Sequence, residues 1–344
     1  MQFAYFAQAV LLLSVYAYPS TNCGTAMHRH HCSSMAFIYT GIATLLLLPF
    51  GASFSPPMHS VVSRAFNKLE GFVASRKVNA NIDTKTDKYA TGPDSEYEYA
   101  ATQPKFDHSL WSEVLKKHVT SGEVEGITTN VVDYRAIAED GDFERYQKAL
   151  AGANLADLAT KPNELLALYI NAYNALCISH VTRFIKENDG ELPTSVTKTT
   201  PSDEKGKEIW DCPVGVVGGE KVTLNDIENV ILRSRWSEPR IHASINCASA
   251  SCPNLRAEAF VPHKLNSQMD DQTKTWIADT TKGLKVEKDE LYLSRIFLWF
   301  AGDFDVRGGP LAFVTQHANN EVSASLEDKK VDYFAYNWNL NTKR

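Results

Sequence analysis

The sequence predicts an α+β fold, one helix-rich globular domain with a small, mainly antiparallel sheet. Three observations predict it. Pro162 to Asn188 carries apolar residues at the three-and-four spacing of a buried helical stripe. The strand-like runs Val214–Leu224 and Leu291–Leu293 are short and do not alternate with helices as a βαβ array requires. Apolar patterning then continues from Lys105 to the end, enough chain for one core.

In chain order, Phe106 to Val119 reads as an amphipathic helix that Asp107 can cap. In the long helix, Pro162 suits the first turn. The stripe comprises Leu165, Leu166, Tyr169, Ile170, Tyr173, Cys177, Val181, Phe184 and Ile185. Asn174 falls in the row of Leu166 and Ile170, with Asn171 nearby. A buried asparagine must satisfy two donors and an acceptor. It either ties the helix to a loop backbone or orients a catalytic group. Gly218-Gly219 between Val-rich arms signals a hairpin. Asn225 followed by Glu228 resembles a capping box opening the next helix. Leu265, Met269, Trp276 and Ile277 mark another helix. The strand Leu291–Leu293 leads into one carrying Ile296, Trp299 and Phe300.

The charge balance is mild, with 35 basic and 41 acidic residues for a net charge of −6. Without a basic patch, no nucleic-acid partner is expected. Six cysteines are too few for a disulfide-built scaffold. No Walker loop, GxGxxG, GxSxG or HExxH occurs, so no cofactor is expected. The expected partner is a small molecule or peptide substrate, with membrane contact confined to the N-terminal targeting region.

That region, residues 1–53, holds two apolar runs, Phe3–Tyr18 and Met35–Phe50, and a single charged residue, Arg29. Each run is about 16 residues, short of a spanning helix. The second resembles a signal-peptide core, with Met27 an alternative start that would leave residues 1–26 outside the chain. The junction GASFSPP resembles the bipartite plastid presequences of algae with secondary plastids, with Phe54 as the aromatic residue. Residues 54–80 are basic and serine-rich, as a transit segment is; residues 81–104 read as a polar linker; residues 105–344 form the globular domain. Entry to the secretory route and a plastid destination follow, with plain secretion as the alternative.

The segment EPRIHASINCASASCPNL carries the candidate chemistry. Ile241, Ala243, Ile245 and Cys247 alternate with Arg240, His242, Ser244 and Asn246, which predicts a strand with one polar face. His242 and Cys247 then point to opposite faces, and Cys247 packs as a small hydrophobe. Pro253 places Cys252 at a helix N-cap, where partial positive charge favours the thiolate. If the chain turns back through Ala248 to Ser251, Cys252 meets His242, the minimum for thiol catalysis. The alternatives are a half-buried loop cysteine and a Cys247–Cys252 disulfide. The spacing of His242, Cys247 and Cys252 lacks the close pairs of structural zinc, so no metal site is expected.

The runs FDHSLW, LLALYINAYNAL, TLNDIENVILR, PRIHASINCASASCPNL and YNWNLN, in this order, resemble the domain of unknown function 547 family. The resemblance implies a compact domain with Asn171, Asn174, His242, Cys247 and Cys252 at motif positions, and implies no substrate. Ala243 departs from the aromatic residue usual after the histidine, which touches a packing contact. The stretch Lys186–Pro213 reads as a peripheral insertion. No sustained heptad pattern accompanies the domain, so the scaffold role of plant relatives with a leucine zipper is unsupported.

The leading functional expectation is a thiol-dependent hydrolase or acyl-transferase. Cys252 is its nucleophile, His242 its base, and Asn174 or Asn171 an orienting group. Arg240, Ser244, Asn246 and Cys247 are its binding residues. The alternatives are a non-catalytic binding module with a locked polar core and a thiol/disulfide redox element. The presequence carries its own test. A fluorescent protein fused after residue 80 should reach the plastid of such an alga, and Phe54→Ala should stop it short. Fluorescence in the medium with Phe54 intact would identify secretion instead.

Overall fold

The structure is a computed structural model and describes residues 104–326 and 329–343. The signal-peptide-like region, the transit segment and all but residue 104 of the linker lie outside the described residues. The α+β expectation holds, with the strands divided among three small sheets.

Helix α1 (Ser109–His118) runs into the hairpin β1 (Val119–Val124) and β2 (Ile127–Val132). It starts later than the pattern predicts: Asp107 binds the Ser109 amide (2.8 Å) while His108 holds the cap position. Three short helices follow, α2 (Tyr134–Ala138), α3 (Gly141–Ala151) and α4 (Leu155–Leu158). Asp133, Asp140 and Asn154 cap them through side-chain oxygens.

Helix α5 (Pro162–Glu187) begins at its proline and is the centre of the larger core. By length and hydropathy it would suit a membrane span, but 94% of its most apolar window is buried inside the protein, so it is the core helix of this domain. Trp111, Tyr134, Tyr146, Leu232 and Phe260 belong to the same core.

The hairpin β3 (Pro213–Val217) and β4 (Glu220–Thr223) turns at Gly218-Gly219 as expected. Their φ values of 58° and 85° are those of a tight hairpin turn that glycine enters without strain. A Cβ at Gly218 would collide with Leu155, because the hairpin tip docks on α3 and its two amides take the Leu150 and Ala151 carbonyls (2.9 and 2.8 Å).

The next helix is a π-helix, Asp226–Leu232, ending in an α-turn at Arg233–Arg235. Its reciprocal cap is Thr223 with Asp226, not Asn225 with Glu228. The Asp226 amide donates to Thr223 Oγ1 (3.0 Å) and the Thr223 amide to Asp226 Oδ2 (2.9 Å). Asn225 lies one residue inside that box and binds Asp211 instead (2.9 Å).

The C-terminal part forms a second, aromatic core. Helix α7 (Leu265–Ala278) is followed by β5 (Leu284–Val286), β6 (Glu290–Leu293), helix α8 (Arg295–Trp299), the 3-10 helix Ala301–Arg307, α9 (Pro310–His317), α10 (Asn320–Ala324) and β7 (Lys330–Tyr333). Strand β6 pairs antiparallel with β5 and parallel with β7. Trp276 stacks on Phe297 at 4.6 Å, with Phe304 and Phe313 in the same cluster. The last described stretch bridges both Ser195 and Ser249, through Asn339 and Leu340. The Lys186–Pro213 insertion is therefore not wholly peripheral: Ser195 is buried and donates to the Trp338 carbonyl (2.8 Å).

The two asparagines of α5 tie the helix to loop backbone. Asn171 donates to the Phe260 carbonyl (2.8 Å) and accepts from its amide (3.0 Å). Asn174 donates to the Ser244 carbonyl (2.9 Å) and accepts from the Asn246 amide (2.7 Å). Asn174→Ala should lower the unfolding free energy by about 1–3 kcal/mol, since it leaves buried peptide groups without partners. Asn174→Leu should do no better despite its volume. The denaturant midpoint, at unchanged slope, reads both.

Candidate functional site

Arg240–Cys247 is not a strand. Ile241–Ser244 is one helical turn, α6, and Ile245 leaves it in an extended conformation (ψ 139°). The alternation misleads because both sets of side chains are buried, Ile241, Ala243 and Ile245 together with His242, Ser244 and Asn246. Each polar member has its own partner. Ser244 Oγ donates back to the Arg240 carbonyl (2.9 Å), a bond that fits a helical turn. Arg240 is clasped by Glu238, Asn266 and Asp270, and against the cost of burial the Glu238 and Asp270 carboxylates hold its guanidinium charged.

The chain then makes a tight loop. Asn246 accepts from the Ala248 amide (2.9 Å) and donates to the Pro253 carbonyl (2.7 Å). Ala248 sits at φ 62°, a left-handed conformation that costs a side-chain-bearing residue roughly 1–2 kcal/mol. The C-terminal stretch holds it there: the Asn341 amide donates to the Ala248 carbonyl (3.0 Å), and the Ala250 amide to that of Asn339 (2.8 Å).

This loop brings Cys247 and Cys252 together. The Cys247 amide donates to Cys252 Sγ (3.1 Å), and both thiols are free. Cys252 is buried and Cys247 partly exposed. Cys247 Sγ also lies 3.1 Å from Ser249 Oγ and 3.3 Å from Tyr336 Oη, and Ser249 donates to Tyr336 (3.0 Å). Burial opposes the Cys247 thiolate, but hydrogen bonds from Cys252, Ser249 and Tyr336 outweigh it and bring the pKa down to about 7. Burial and the proton shared with Cys247 push Cys252 well up. The hydrogen bonds thus favour the thiolate at Cys247 and not at Cys252. No helix begins at Pro253; the residues after it are irregular, so Cys252 lacks the N-terminal dipole that would have acidified it. Beside Cys247 stands a half-buried aromatic wall. Tyr336 contacts Trp299 (4.8 Å between rings) and Trp338 (4.5 Å), and Trp210 extends the wall beyond Trp338 (6.1 Å).

His242 belongs to another cluster. Its Nε2 lies 2.8 Å from Asp303 Oδ2, and its ring stacks on Phe300 at 4.5 Å. Arg233 grips the same carboxylate through two nitrogens and lies over the Phe300 ring. Burial works against the Asp303 charge, yet His242 and Arg233 hold the carboxyl well below the usual range. These side chains border a recess of about 90 Å³ with Ser237, Glu238 and Val306. No hydrogen bond joins His242 to Cys252, so the expected dyad does not form. Asn171 and Asn174 spend their amides on backbone and orient neither group. A larger, open depression of about 650 Å³ lies at the C-terminal end of α5 and contains none of these residues. Among the described residues no cluster of His, Cys, Asp and Glu side chains is arranged to hold a metal ion.

The clamped helix and the two-cysteine loop lie in one stretch of sequence, and that stretch has a known counterpart. Residues 158–277 match the family described as "Protein of unknown function, DUF547". No curated protein and no solved structure matches the chain. The DUF547 segment carries Asn171, Asn174, His242, Cys247 and Cys252. Tyr336, which bonds the thiol, and Asp303, which bonds the histidine, come from beyond it. Sequence reasoning missed both, together with Ser249. Tyr336 was visible only as the first residue of YNWNLN.

The Asp303 cluster has a signed pH dependence. Its folded pKa is depressed, so its contribution is complete above about pH 4 and is lost as pH falls through the lower folded value. Asp303→Asn should destabilise the protein by roughly 1–3 kcal/mol at neutral pH. The gap to the parent should narrow in melts taken below about pH 4; a gap constant with pH would show that the Asp303 charge contributes nothing.

Proposed function

We propose that the domain carries out thiol–disulfide exchange, with Cys247 as the attacking thiol and Cys252 as the resolving thiol. One observation carries this reading: two free cysteines on one tight loop, the Cys247 amide bonded to Cys252 Sγ, with the partly exposed Cys247 thiol beside the Ser249 and Tyr336 hydroxyls and the Cys252 thiol buried. A thiol whose pKa lies near ambient pH is the best attacking group, being both ionised and nucleophilic.

The chemistry balances within the pair and its substrate. The Cys247 thiolate attacks one sulfur of a substrate disulfide; the S–S bond breaks and the leaving thiolate takes a proton. Cys252 then loses its proton and attacks Cys247 Sγ in the mixed disulfide. The second substrate thiol departs, and Cys247–Cys252 remains as a disulfide. The substrate is reduced by two electrons and the pair oxidised by two; a dithiol reductant reverses the change. The Tyr336 hydroxyl supports the thiolate by donating to it, and Ser249 donates in turn to Tyr336. The hydrolase or acyl-transferase reading is less favoured, because neither thiol is hydrogen-bonded to an imidazole and the His242 Nε2 is engaged by Asp303.

The test is the product distribution after treating the full-length chain with glutathione disulfide, read by peptide mass. The parent should yield a Cys247–Cys252 disulfide, and Cys252→Ser should stop at glutathionylated Cys247. Cys247→Ser should leave Cys252 unmodified. A parent in which Cys247 stays free while Cys252 reacts would overturn the assignment.

A further inference from the structure

Strand β7 is an edge strand of its sheet, and its free edge leads to the cysteine loop. Among the described residues only β6 pairs with it. The Lys330 and Phe334 amides donate to the Asp289 and Leu293 carbonyls (3.1 and 3.0 Å), so the even-numbered peptide groups face β6. In extended chain the odd-numbered ones face the opposite edge. The alternation persists past β7. The Leu340 amide donates to the Thr194 carbonyl (3.3 Å), and the Trp338 carbonyl accepts from Ser195. The odd-numbered residues turn to the cysteine loop instead. The Asn337 amide donates to Ser251 Oγ (2.9 Å), the Asn339 carbonyl accepts from Ala250 (2.8 Å), and the Asn341 amide donates to the Ala248 carbonyl (3.0 Å). The loop therefore occupies the odd-numbered edge from Asn337 onward. It leaves that edge after Ser251, and Pro253 has no amide with which to continue the pairing. Upstream the same edge is open. Val331 is 37% exposed and Ala335 is exposed. Between them Asp332 holds the Tyr333 amide (2.8 Å), a carboxylate that guards the edge against indiscriminate pairing without covering it.

We propose that the open edge of residues 331–335 takes an extended peptide segment as an added strand and presents its disulfide-bonded cysteine to Cys247. The proposal names the substrate class of the exchange site and rests on Cys247 being the attacking thiol. Two features of the edge select the occupant. It offers backbone donors and acceptors at strand spacing, which an extended peptide matches and a small disulfide does not. It also runs in line with the cysteine loop, so a strand laid on it ends beside the segment that holds both thiols. Tyr336, the residue that follows Ala335, sets its hydroxyl against Cys247 Sγ (3.3 Å). The substrate is thus a peptide or protein disulfide in an extended stretch. Cys247 Sγ forms a bond to the cysteine sulfur of the added strand, the S–S bond there breaks, and the other sulfur leaves as a thiolate that takes a proton. The strand stays tethered until Cys252, losing its proton, bonds to Cys247 Sγ and releases it as a thiol.

Exchange rates of the reduced full-length chain, followed by mass, test this with two probes. One is glutathione disulfide, too short to add as a strand. The other is a cystine-bridged dimer of a valine- and threonine-rich peptide of about ten residues. N-methylating one set of alternate residues in the peptide removes the donors that face the edge. It should slow exchange about fivefold, the scale of one peptide hydrogen bond, while methylating the other set should not. Val331→Pro removes a donor from the edge itself, at a position where an edge strand accepts proline. It should slow the peptide disulfide by a similar factor, abolish the effect of N-methylation and leave glutathione disulfide unchanged. Should that variant fail to fold, the methylated peptides decide on the parent alone. A parent rate that neither methylation alters overturns the docking edge and leaves the exchange reading standing. A methylation effect that survives in Val331→Pro places the peptide elsewhere and overturns it. Equal slowing of glutathione disulfide in Val331→Pro assigns the loss to the thiol site and overturns it too. A parent dimer in sedimentation that Val331→Pro splits gives the edge to a second copy of the chain instead. Cys247 inert to both probes removes the exchange reading itself, and the inference with it.

Discussion

The structure depends on satisfying irregular backbone against a helix that is buried nearly all round. A sheet packed on α5 would bring its own ladder of hydrogen bonds. Here the segments touching the asparagine face of α5 are loops, around Ser244–Asn246 and Phe260, and their peptide groups find no strand partner there. Asn171 and Asn174 supply that partner. A primary amide presents a donor and an acceptor side by side, as a peptide group does. Asn171 uses both on a single residue, Phe260, much as a neighbouring strand would. Asn246 repeats the device inside the cysteine loop. These asparagines take the place of a missing sheet, which is why they sit among aliphatic residues.

The same constraint shapes the thiol site. Once Asn174 fixes Asn246 from one side and Asn337–Asn341 fix Ala248–Ser251 from the other, the loop has little freedom left. The left-handed Ala248 is affordable only in that setting, where surrounding contacts over-determine it. The outcome is Cys252 Sγ held on the Cys247 amide, with the Ser249 and Tyr336 hydroxyls set against Cys247 Sγ. The acidity of Cys247 is therefore a property of tertiary structure. It requires the C-terminal stretch to be docked, because Tyr336 lies 89 residues downstream of the thiol it serves.

That separation explains what was legible in the sequence. The α5 helix, its proline start, the Gly218-Gly219 hairpin and the later helices rest on local signals, periodicity and turn chemistry, and these survive into the fold. Asn174 could be placed on the buried stripe by phase alone. The Arg240–Cys247 run defeated the same reasoning. Period two reports a strand only where one face is wet, and here both are dry. His242 and Arg240 answer in part to distant partners, Asp303 and Asp270, that spacing does not announce. The two cysteines were legible as chemical groups, and the thiolate-favouring setting was expected at Cys252 where the hydrogen bonds favour it at Cys247. The helix dipole expected at Cys252 was a local inference, whereas the hydrogen bonds that acidify Cys247 include one from a residue that spacing could not connect to it.

His242 and Cys247 stand five residues apart and belong to different networks, yet one segment serves both. Trp299 ends α8 and packs on Tyr336, the hydroxyl donor at the thiol. Phe300, the next residue, stacks on His242, and Asp303 follows in the 3-10 turn with both His242 and Arg233 bound to it. The ionic cluster anchors the far end of this segment, and the aromatic wall anchors the near end. A histidine paired with a carboxylate would commonly be read as a base and its orienter. Here the imidazole is packed between a charged partner and an aromatic ring, with Arg233 sharing its carboxylate. A hydrogen-bonded, stacked ring in that position resists displacement of Phe300, and Trp299 cannot leave Tyr336 without pulling on the residue beside it. The histidine of the motif thus bears on the thiol through packing, by holding in place the wall against which Tyr336 is set.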